Sequence, residues 1–323
     1  MRPRLASLMT TRNVDQSNRP VPQSIIDFLQ VELRALDQSH ELPWIVDHLA
    51  YELKRLPLCS DDELSCTGQD LAEMIVQRRR KGEPLAYILG SWPFLDGEFF
   101  VGPGVLIPRP ETEELAAIVV ERELKRIQKS MPDLLSGLRT MRIADFGSGS
   151  GCLGIGIARG LLKSAPKLQI ELTCIEKSSD ALPWLRRNVD KWETDQLKVS
   201  IVHGSWLDLN VPAPFDLIVS NPPYVPKKQW QESVENSVRE FEPRSSLVPG
   251  DVSAKSDASG PYFEIMGRFK EWLRGTFAFE LCESQRDFFE RQRAQHRFEL
   301  LNDMSGHLRF AIGSTFETAN DRS

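Results

Sequence analysis

The sequence predicts an α/β fold: an open, mostly parallel sheet with helices on both faces, preceded by a small helical domain. Short, apolar, β-rich runs at Met141–Phe146, Gln169–Ile175, Val199–His203 and Phe215–Ser220 alternate with helical patterns, as strand–helix–strand units do. The first of these runs leads straight into the glycine-rich turn Gly147-Ser148-Gly149-Ser150-Gly151. Residues with ligand chemistry gather at the carboxyl ends of the same runs, which is where an open α/β sheet binds its ligands.

The elements follow in order. From Gln23 to about Lys81 the pattern is helical, with Ile25, Leu29, Leu33 and Leu36 on one stripe and Leu42, Ile45, Leu49, Leu53 and Leu56 on another. Arg78-Arg79-Arg80-Lys81 reads as a solvated helix end whose cations suit the negative pole of the dipole, with a binding patch as the alternative. Residues 91–110, with Trp92, Phe94, Phe99 and Phe100 among several Gly and Pro, read as a β-hairpin linker. A helix then starts near Glu111 behind Pro110, and Glu114 is assigned to its positive N-terminus. Helices are expected at 111–129, 152–163, 178–192, 261–274 and 284–295, with a strand at Thr276–Leu281. Two last strands, near Phe298–Leu301 and His307–Ile312, flank Asn302–Gly306 as a hairpin, so the final strand is expected to be antiparallel. The polar stretch 249–260 reads as a surface insertion, or as a mobile flap beside the site.

Composition narrows the function. A chain of 323 residues with 41% hydrophobic residues has room for two cored domains. Its net charge of −6 argues against tracking a phosphate backbone, so direct nucleic-acid binding is not expected. No apolar run is long enough to span a bilayer, and no membrane partner is expected. Cys59, Cys66, Cys152, Cys174 and Cys282 lack paired spacing and the histidines lack metal-ligand spacing, so a reducing compartment and no metal are expected. The first twenty residues hold Arg2, Arg4, Arg12 and Arg19 among serines and threonines, with Asp15 the one acid. A mitochondrial transit segment has that composition, and so does a disordered cytosolic tail.

The stretch Asn221-Pro222-Pro223-Tyr224 carries the chemistry. It follows the strand Phe215–Ser220, and each proline withdraws a backbone donor while keeping its carbonyl. The turn therefore presents acceptors, the Asn221 side-chain oxygen and the Pro222 carbonyl, matched to the two hydrogens of a planar NH2 group, and Tyr224 offers a face for stacking. An ordinary strand-ending turn is the competing reading. Upstream, the turn Gly147–Gly151 after Asp145 lets backbone approach a ligand and opens a helix whose N-terminus suits an anion. Glu176 ends the next strand at the place expected to accept ribose hydroxyls. Trp206 and Asp208 follow the third and are placed to bracket an adenine.

These motifs, together with Arg79–Gly90, Val105–Leu115 and Phe241-Glu242-Pro243-Arg244, make the chain resemble the HemK/PrmC glutamine-N5 methyltransferases of peptide chain release factors from about Ile25 to Gly313. Asn-Pro-Pro-Tyr also occurs in adenine-N6 methyltransferases; Pro108-Arg109-Pro110-Glu111-Thr112-Glu113 is what makes the resemblance specific. It implies a Rossmann-like class I methyltransferase sheet over 111–315, a helical substrate-recognition domain over 21–90, and S-adenosylmethionine as methyl donor. Asp145, Gly147, Ser148, Gly149, Ser150, Gly151, Glu176, Trp206 and Asn221 would hold the donor, and Asn221, Pro222, Pro223, Tyr224 and Phe100 would hold the glutamine. Asn221, Pro222 and Tyr224 would carry the catalysis. Arg109 and Glu111 are expected to fix the hairpin over the donor. A monomeric, mitochondrial form acting on a release factor is what the resemblance implies. The alternatives are an adenine-N6 methyltransferase and a silent module that binds a translation factor.

Overall fold

The computed structural model describes residues 20–55, 61–130, 139–210, 213–250 and 257–315. The arginine-bearing segment 1–19, Cys59, residues 251–256 of the polar stretch and the tail from 316 lie outside them. The chain divides into two compact units, Met1–Gly90 and Ser91–Ser323.

In the first unit, α1 (Gln23–Ala35) and α2 (Leu42–Lys54) each bury one stripe, Ile25, Leu29 and Leu33 on the one and Ile45, Leu49 and Leu53 on the other. Residues four apart stack on one helix face, so both stripes meet α3 (Asp61–Arg80), where Ala72, Ile75 and Val76 are buried. A short α4 (Leu85–Leu89) ends at Gly90 in the left-handed conformation. Of the run at the end of α3 expected to be solvated, Arg80 and Lys81 are exposed but Arg79 is not. Arg79 is buried and forks onto Glu41 with two hydrogen bonds of 2.8 Å. Arg78 donates to Glu83 at 2.7 Å, and Arg80 pairs with Glu32. Successive helix positions point in different directions, and each of these guanidinium groups meets a carboxylate of its own.

The second unit opens with a hairpin, β1 (Ser91–Phe94) and β2 (Gly97–Phe100), turned through Leu95 and Asp96. The hairpin is shorter than the linker expected from the sequence: residues 101–109 form an irregular loop. A seven-stranded sheet follows in the order β5-β4-β3-β6-β7-β9-β8. Its strands are β3 (Arg139–Phe146), β4 (Leu168–Glu176), β5 (Leu197–His203), β6 (Phe215–Ser220), β7 (Leu273–Glu280), β8 (His296–Asn302) and β9 (Leu308–Thr315). β3 through β7 run parallel, while β9 lies antiparallel between β7 and β8, as the hairpin signal predicts.

Every residue of β6 is buried, so its sequence is mostly apolar rather than alternating, and its one charge, Asp216, accepts from Arg142 N–H and the Arg274 guanidinium. Leu217 and Val219 face a core shared with α5 (Pro110–Ser130), α6 (Cys152–Ser164) and α7 (Leu182–Trp192). Ile218 faces the other core, built on Phe146, Tyr262, Phe269, Phe277, Phe279 and Phe289. The single helix expected at 261–274 is instead two, α8 (Gly260–Met266) and α9 (Phe269–Trp272), and β7 begins at Leu273. Pairing of Leu273 with Phe215 of β6 takes that residue out of the helix. At Gly275 a Cβ would stand 2.0 Å from the Asp216 carbonyl oxygen, so the strand passes its neighbour only because a glycine is there.

The Glu41–Arg79 fork makes a measurable demand on the first unit. Glu41→Ala leaves a buried guanidinium without its carboxylate and is expected to cost about 3–5 kcal/mol. Urea denaturation followed by circular dichroism checks it; a midpoint equal to that of the parent chain would show the fork to be dispensable.

Candidate active site

Within the parallel part of the sheet, chain order reverses once. From β3 the chain moves outward to β4 and β5, and it then returns to β6 on the other side of β3. The loops leaving β3 and β6 therefore part, and a cavity of about 890 Å³ opens over their carboxyl ends.

The turn after β3 carries positive φ at Gly147 (72°), Gly149 (55°) and Gly151 (80°), a path that side chains oppose. Asp145, buried at the end of β3, accepts from Gly154 N–H at 2.9 Å and so ties the strand to the first turn of α6. Burial first, and then the nearby Glu176 charge, push its carboxyl up to about 7, against the pull of the Gly154 bond. Glu176 pins the loop from β4, its two oxygens accepting from Gly149 N–H at 2.8 Å and Ser178 N–H at 2.7 Å. A carboxylate has about four lone-pair sites, so these two bonds leave acceptors for ribose hydroxyls. Trp206 lines the same cavity and donates its indole N–H to Glu264 at 3.0 Å.

The roof comes from the 105–109 loop. Buried Glu242 accepts Ile107 N–H at 3.1 Å and the Arg109 guanidinium at 2.6 Å. The Pro-Arg-Pro-Glu and Phe-Glu-Pro-Arg motifs are thereby clasped by one carboxylate, and Leu106 through Arg109 line the cavity. Arg109 does fix this segment, as expected. Glu113 rather than Glu111 holds the hairpin, accepting Leu95 N–H at 3.0 Å. Glu114, assigned to the helix start, accepts Met304 N–H in the β8–β9 turn at 3.2 Å.

At the floor, Asn221 emerges from β6 and donates its Nδ2 to Thr112 Oγ1 at 2.9 Å. Thr112 donates in turn to Glu280 Oε2 at 2.5 Å, and the Tyr224 hydroxyl donates to Glu280 Oε1 at 2.7 Å. Burial drives the Tyr224 phenol well above its usual range, and the adjoining Glu280 adds to this.

Asp145, Gly147, Ser148, Gly149, Ser150, Glu176, Trp206, Asn221 and Pro223 are thus brought together around one cavity. The other expected residues stand elsewhere. Gly151 caps α6 in the left-handed conformation at φ 80°, which favours glycine there, and it does not line the cavity. Pro222 is buried beneath the turn and does not line the cavity. Tyr224 is turned toward Glu280 instead of toward a guest, because a buried phenol needs a partner. Phe100 lies opposite the core-facing Phe99 on its strand, with the Arg187 guanidinium carbon 3.7 Å from its ring centroid, and is not in the cavity wall. Asp208 faces solvent, since the short turn Trp206–Asp208, capped by Ser205, brings Leu207 to the wall in its place. The sequence reading missed Leu106, Thr112, Lys177 and Glu280. Glu280 ends β7, so the strand-end rule that found Glu176 also points to it.

Comparison with known proteins bears on what this site is. The methyltransferase small domain family matches residues 125–247. The release factor glutamine methyltransferase of Pasteurella multocida (strain Pm70) is 32% identical over 253 residues, which cover 76% of this chain and 80% of that one. The chain belongs to the release factor glutamine methyltransferase family. The family member from Chlorobaculum tepidum is 37% identical over 202 residues, 61% of this chain and 64% of its own length. That from Haemophilus influenzae is 35% identical over 179 residues, 55% of this chain and 57% of its own length. The matched region thus spans less than two thirds of these two relatives. The solved hMettl16 catalytic domain in complex with MAT2A 3'UTR hairpin 1 covers 78% of this chain and 81% of its own, at 17% identity and a TM-score of 0.43, which is too distant to speak to substrate.

The methyl donor of this family is S-adenosylmethionine, and the residues present fit it. Glu176 has acceptors left for the ribose, Trp206 offers an aromatic face for the base, and the glycine turn brings backbone close at the start of α6 for the carboxylate.

The Asp145 carboxyl makes stability depend on pH with a definite sign. Between its ordinary 3.8 and about 7, the folded chain keeps a proton that the unfolded chain has released, so its contribution to stability falls as pH rises across that window. Asp145→Asn removes this dependence. The melting temperature of the variant minus that of the parent chain should therefore grow more positive from pH 4 to about pH 8. A difference that does not change with pH, in scanning calorimetry, would contradict the assignment.

Proposed function

We propose that this protein transfers the methyl group of S-adenosylmethionine to the side-chain amide nitrogen of a glutamine in the Gly-Gly-Gln loop of a peptide chain release factor, in support of translation termination. The observation that carries the reading is the hydrogen bond from Asn221 Nδ2 to Thr112. With its nitrogen held at Thr112, the oxygen is the end of the amide left clear of that bond in a residue that lines the cavity. An acceptor at a strand end beside a methyl-donor site suits an incoming NH2 group. The names of the relatives supply the rest, since they are release factor glutamine methyltransferases.

Bound S-adenosylmethionine supplies an electrophilic methyl group on a sulfonium. The amide nitrogen of glutamine is a weak nucleophile because its lone pair is delocalised into the carbonyl. When Asn221 Oδ1 accepts one of its hydrogens, it fixes the nitrogen and favours the positive charge that grows on it, while Pro222, buried in the turn, keeps Asn221 in place instead of meeting the substrate. Holding the two centres in line is worth roughly 7–11 kcal/mol of the barrier. The proton is shed to water after transfer, and no side chain is assigned as a base. Tyr224 takes part from behind the turn, as a hydroxyl that holds Glu280, rather than as a stacking face. Adenine also presents an NH2 group. The net charge of −6 and the relatives both favour protein over nucleic acid.

Incubation with a release factor and S-adenosylmethionine followed by peptide mass spectrometry tests this. The glutamine peptide should gain one methyl group, and Asn221→Ala should abolish the gain while leaving calorimetric binding of S-adenosylmethionine largely intact. An unmodified glutamine with the parent enzyme, or full activity in the variant, would sink the reading.

The arginine-rich first twenty residues support a mitochondrial matrix address for this activity. A fluorescent protein fused behind residues 1–20 should be imported into mitochondria; diffuse cytosolic fluorescence would refute the address.

A further inference from the structure

We infer that Glu280, acting through Thr112, is a positioning residue that dictates which end of the Asn221 amide meets the substrate. This rests on the reading of the cavity as an amide-methylating site.

The two ends of an asparagine side chain are nearly equal in shape and opposite in hydrogen bonding. A flip of Asn221 would set its NH2 against the NH2 of the substrate, donor against donor, with little steric penalty. Only the polarity of its partner decides the matter, and that partner, the Thr112 hydroxyl, can both donate and accept. Glu280 removes the ambiguity. An ionised carboxylate only accepts, so the one hydrogen of Thr112 is committed to Glu280 Oε2 at 2.5 Å. A lone pair is what remains on Thr112, and Asn221 answers it with Nδ2 at 2.9 Å. The direction of each bond is thus set by the one before it, from the carboxylate to the cavity.

The relay is built to stay in place. Thr112 and Glu280 are 3% and 1% exposed, so water does not compete for either group. The other oxygen of Glu280 is taken by Tyr224, and its backbone carbonyl accepts the Tyr262 hydroxyl at 2.6 Å. Gln285 donates to the Tyr224 carbonyl at 3.1 Å, anchoring the turn that carries Asn221. Burial raises the Glu280 carboxyl above its ordinary range and Glu111 adds to this, while the bonds from Thr112 and Tyr224 and the charge of Arg309 on β9, itself held by Asp303 at 3.1 Å, pull toward the ionised state on which the direction depends. Three elements meet here, the first turn of α5 and the carboxyl ends of β6 and β7. None of the motifs quoted from the sequence contains Glu280.

Three variants of the full chain test the relay by rate of release factor methylation, S-adenosylmethionine affinity in calorimetry, and thermal midpoint. Glu280→Gln keeps the shape but can donate to Thr112, which then donates to Asn221 and turns its NH2 outward. Thr112→Val keeps the volume and breaks the relay; Thr112→Ser keeps the hydroxyl. Glu280→Gln and Thr112→Val should lower kcat about 10- to 100-fold with S-adenosylmethionine affinity unchanged, and Thr112→Ser should recover most of the rate. Parent-like kcat in Thr112→Val, or a loss in Thr112→Ser as deep as that in Thr112→Val, would overturn the relay. Should Glu280→Gln fail to fold, the Thr112 pair decides alone. A parent enzyme that binds S-adenosylmethionine yet leaves the glutamine unmodified is a different failure: it overturns the functional reading, and the relay with it.

Discussion

β3 and β6 are hydrogen-bonded neighbours whose chains leave in opposite directions, and the cavity depends on that parting. Two parallel strands side by side would ordinarily send their loops the same way and crowd the edge they share. Here the path to β4 and the path from β6 diverge, so the glycine turn and the Asn-Pro-Pro-Tyr turn stand on either side of one opening. The reversal requires β6 to lie mid-sheet, covered on both faces. This explains why the segment just before the chemistry is the most uniformly buried of the strands. The reactive turn is held rigidly because the strand beneath it cannot move without exposing two cores.

The second organising feature is the use of buried carboxylates as clasps. Glu176 receives two backbone N–H groups, Glu242 one N–H and a guanidinium, and Glu280 two hydroxyls. Each would be costly if left unpaired in a low-dielectric interior. Paired as they are, they convert the acidic excess of the composition into fixed geometry around the cavity. A loop without regular structure, such as 101–109, is held by a carboxylate where no sheet or helix ladder is available.

The sheet was legible because its signals are local. Apolar runs, glycine turns and the Asn302–Gly306 hairpin each announce themselves within a few residues, and the antiparallel β9 followed from them. Strand ends were legible for the same reason, which is how Asp145, Glu176, Trp206 and Asn221 were found together. What escaped was partner choice at long range. Nothing near Arg79 in the sequence points to Glu41, and nothing near Tyr224 points to Glu280, so a solvated cluster and a stacking ring were the natural expectations. Phe100 came from resemblance rather than from a strand-end signal, and it lies on the hairpin under Arg187, outside the wall of the cavity.

The Asn221-Pro222-Pro223-Tyr224 turn owes its selectivity to an arrangement of donors and acceptors rather than to shape. A strand-end asparagine with both ends open would accept from an NH2 group or donate to a carbonyl with equal ease. The bond from Nδ2 to Thr112 ties the donor end of the amide to the protein and so favours the first option, whether the guest is a base or an amide. The turn thus specifies the kind of nitrogen and not the molecule that carries it. The walls are built separately, from Leu106, Ile107 and Pro108, a segment held by the bonds of Glu242 to Ile107 N–H and Arg109. Those residues belong to the Pro-Arg-Pro-Glu segment, whereas the four-residue turn is shared with enzymes that act on bases. The two motifs thus meet at one cavity from different elements, the turn after β6 and the loop before α5.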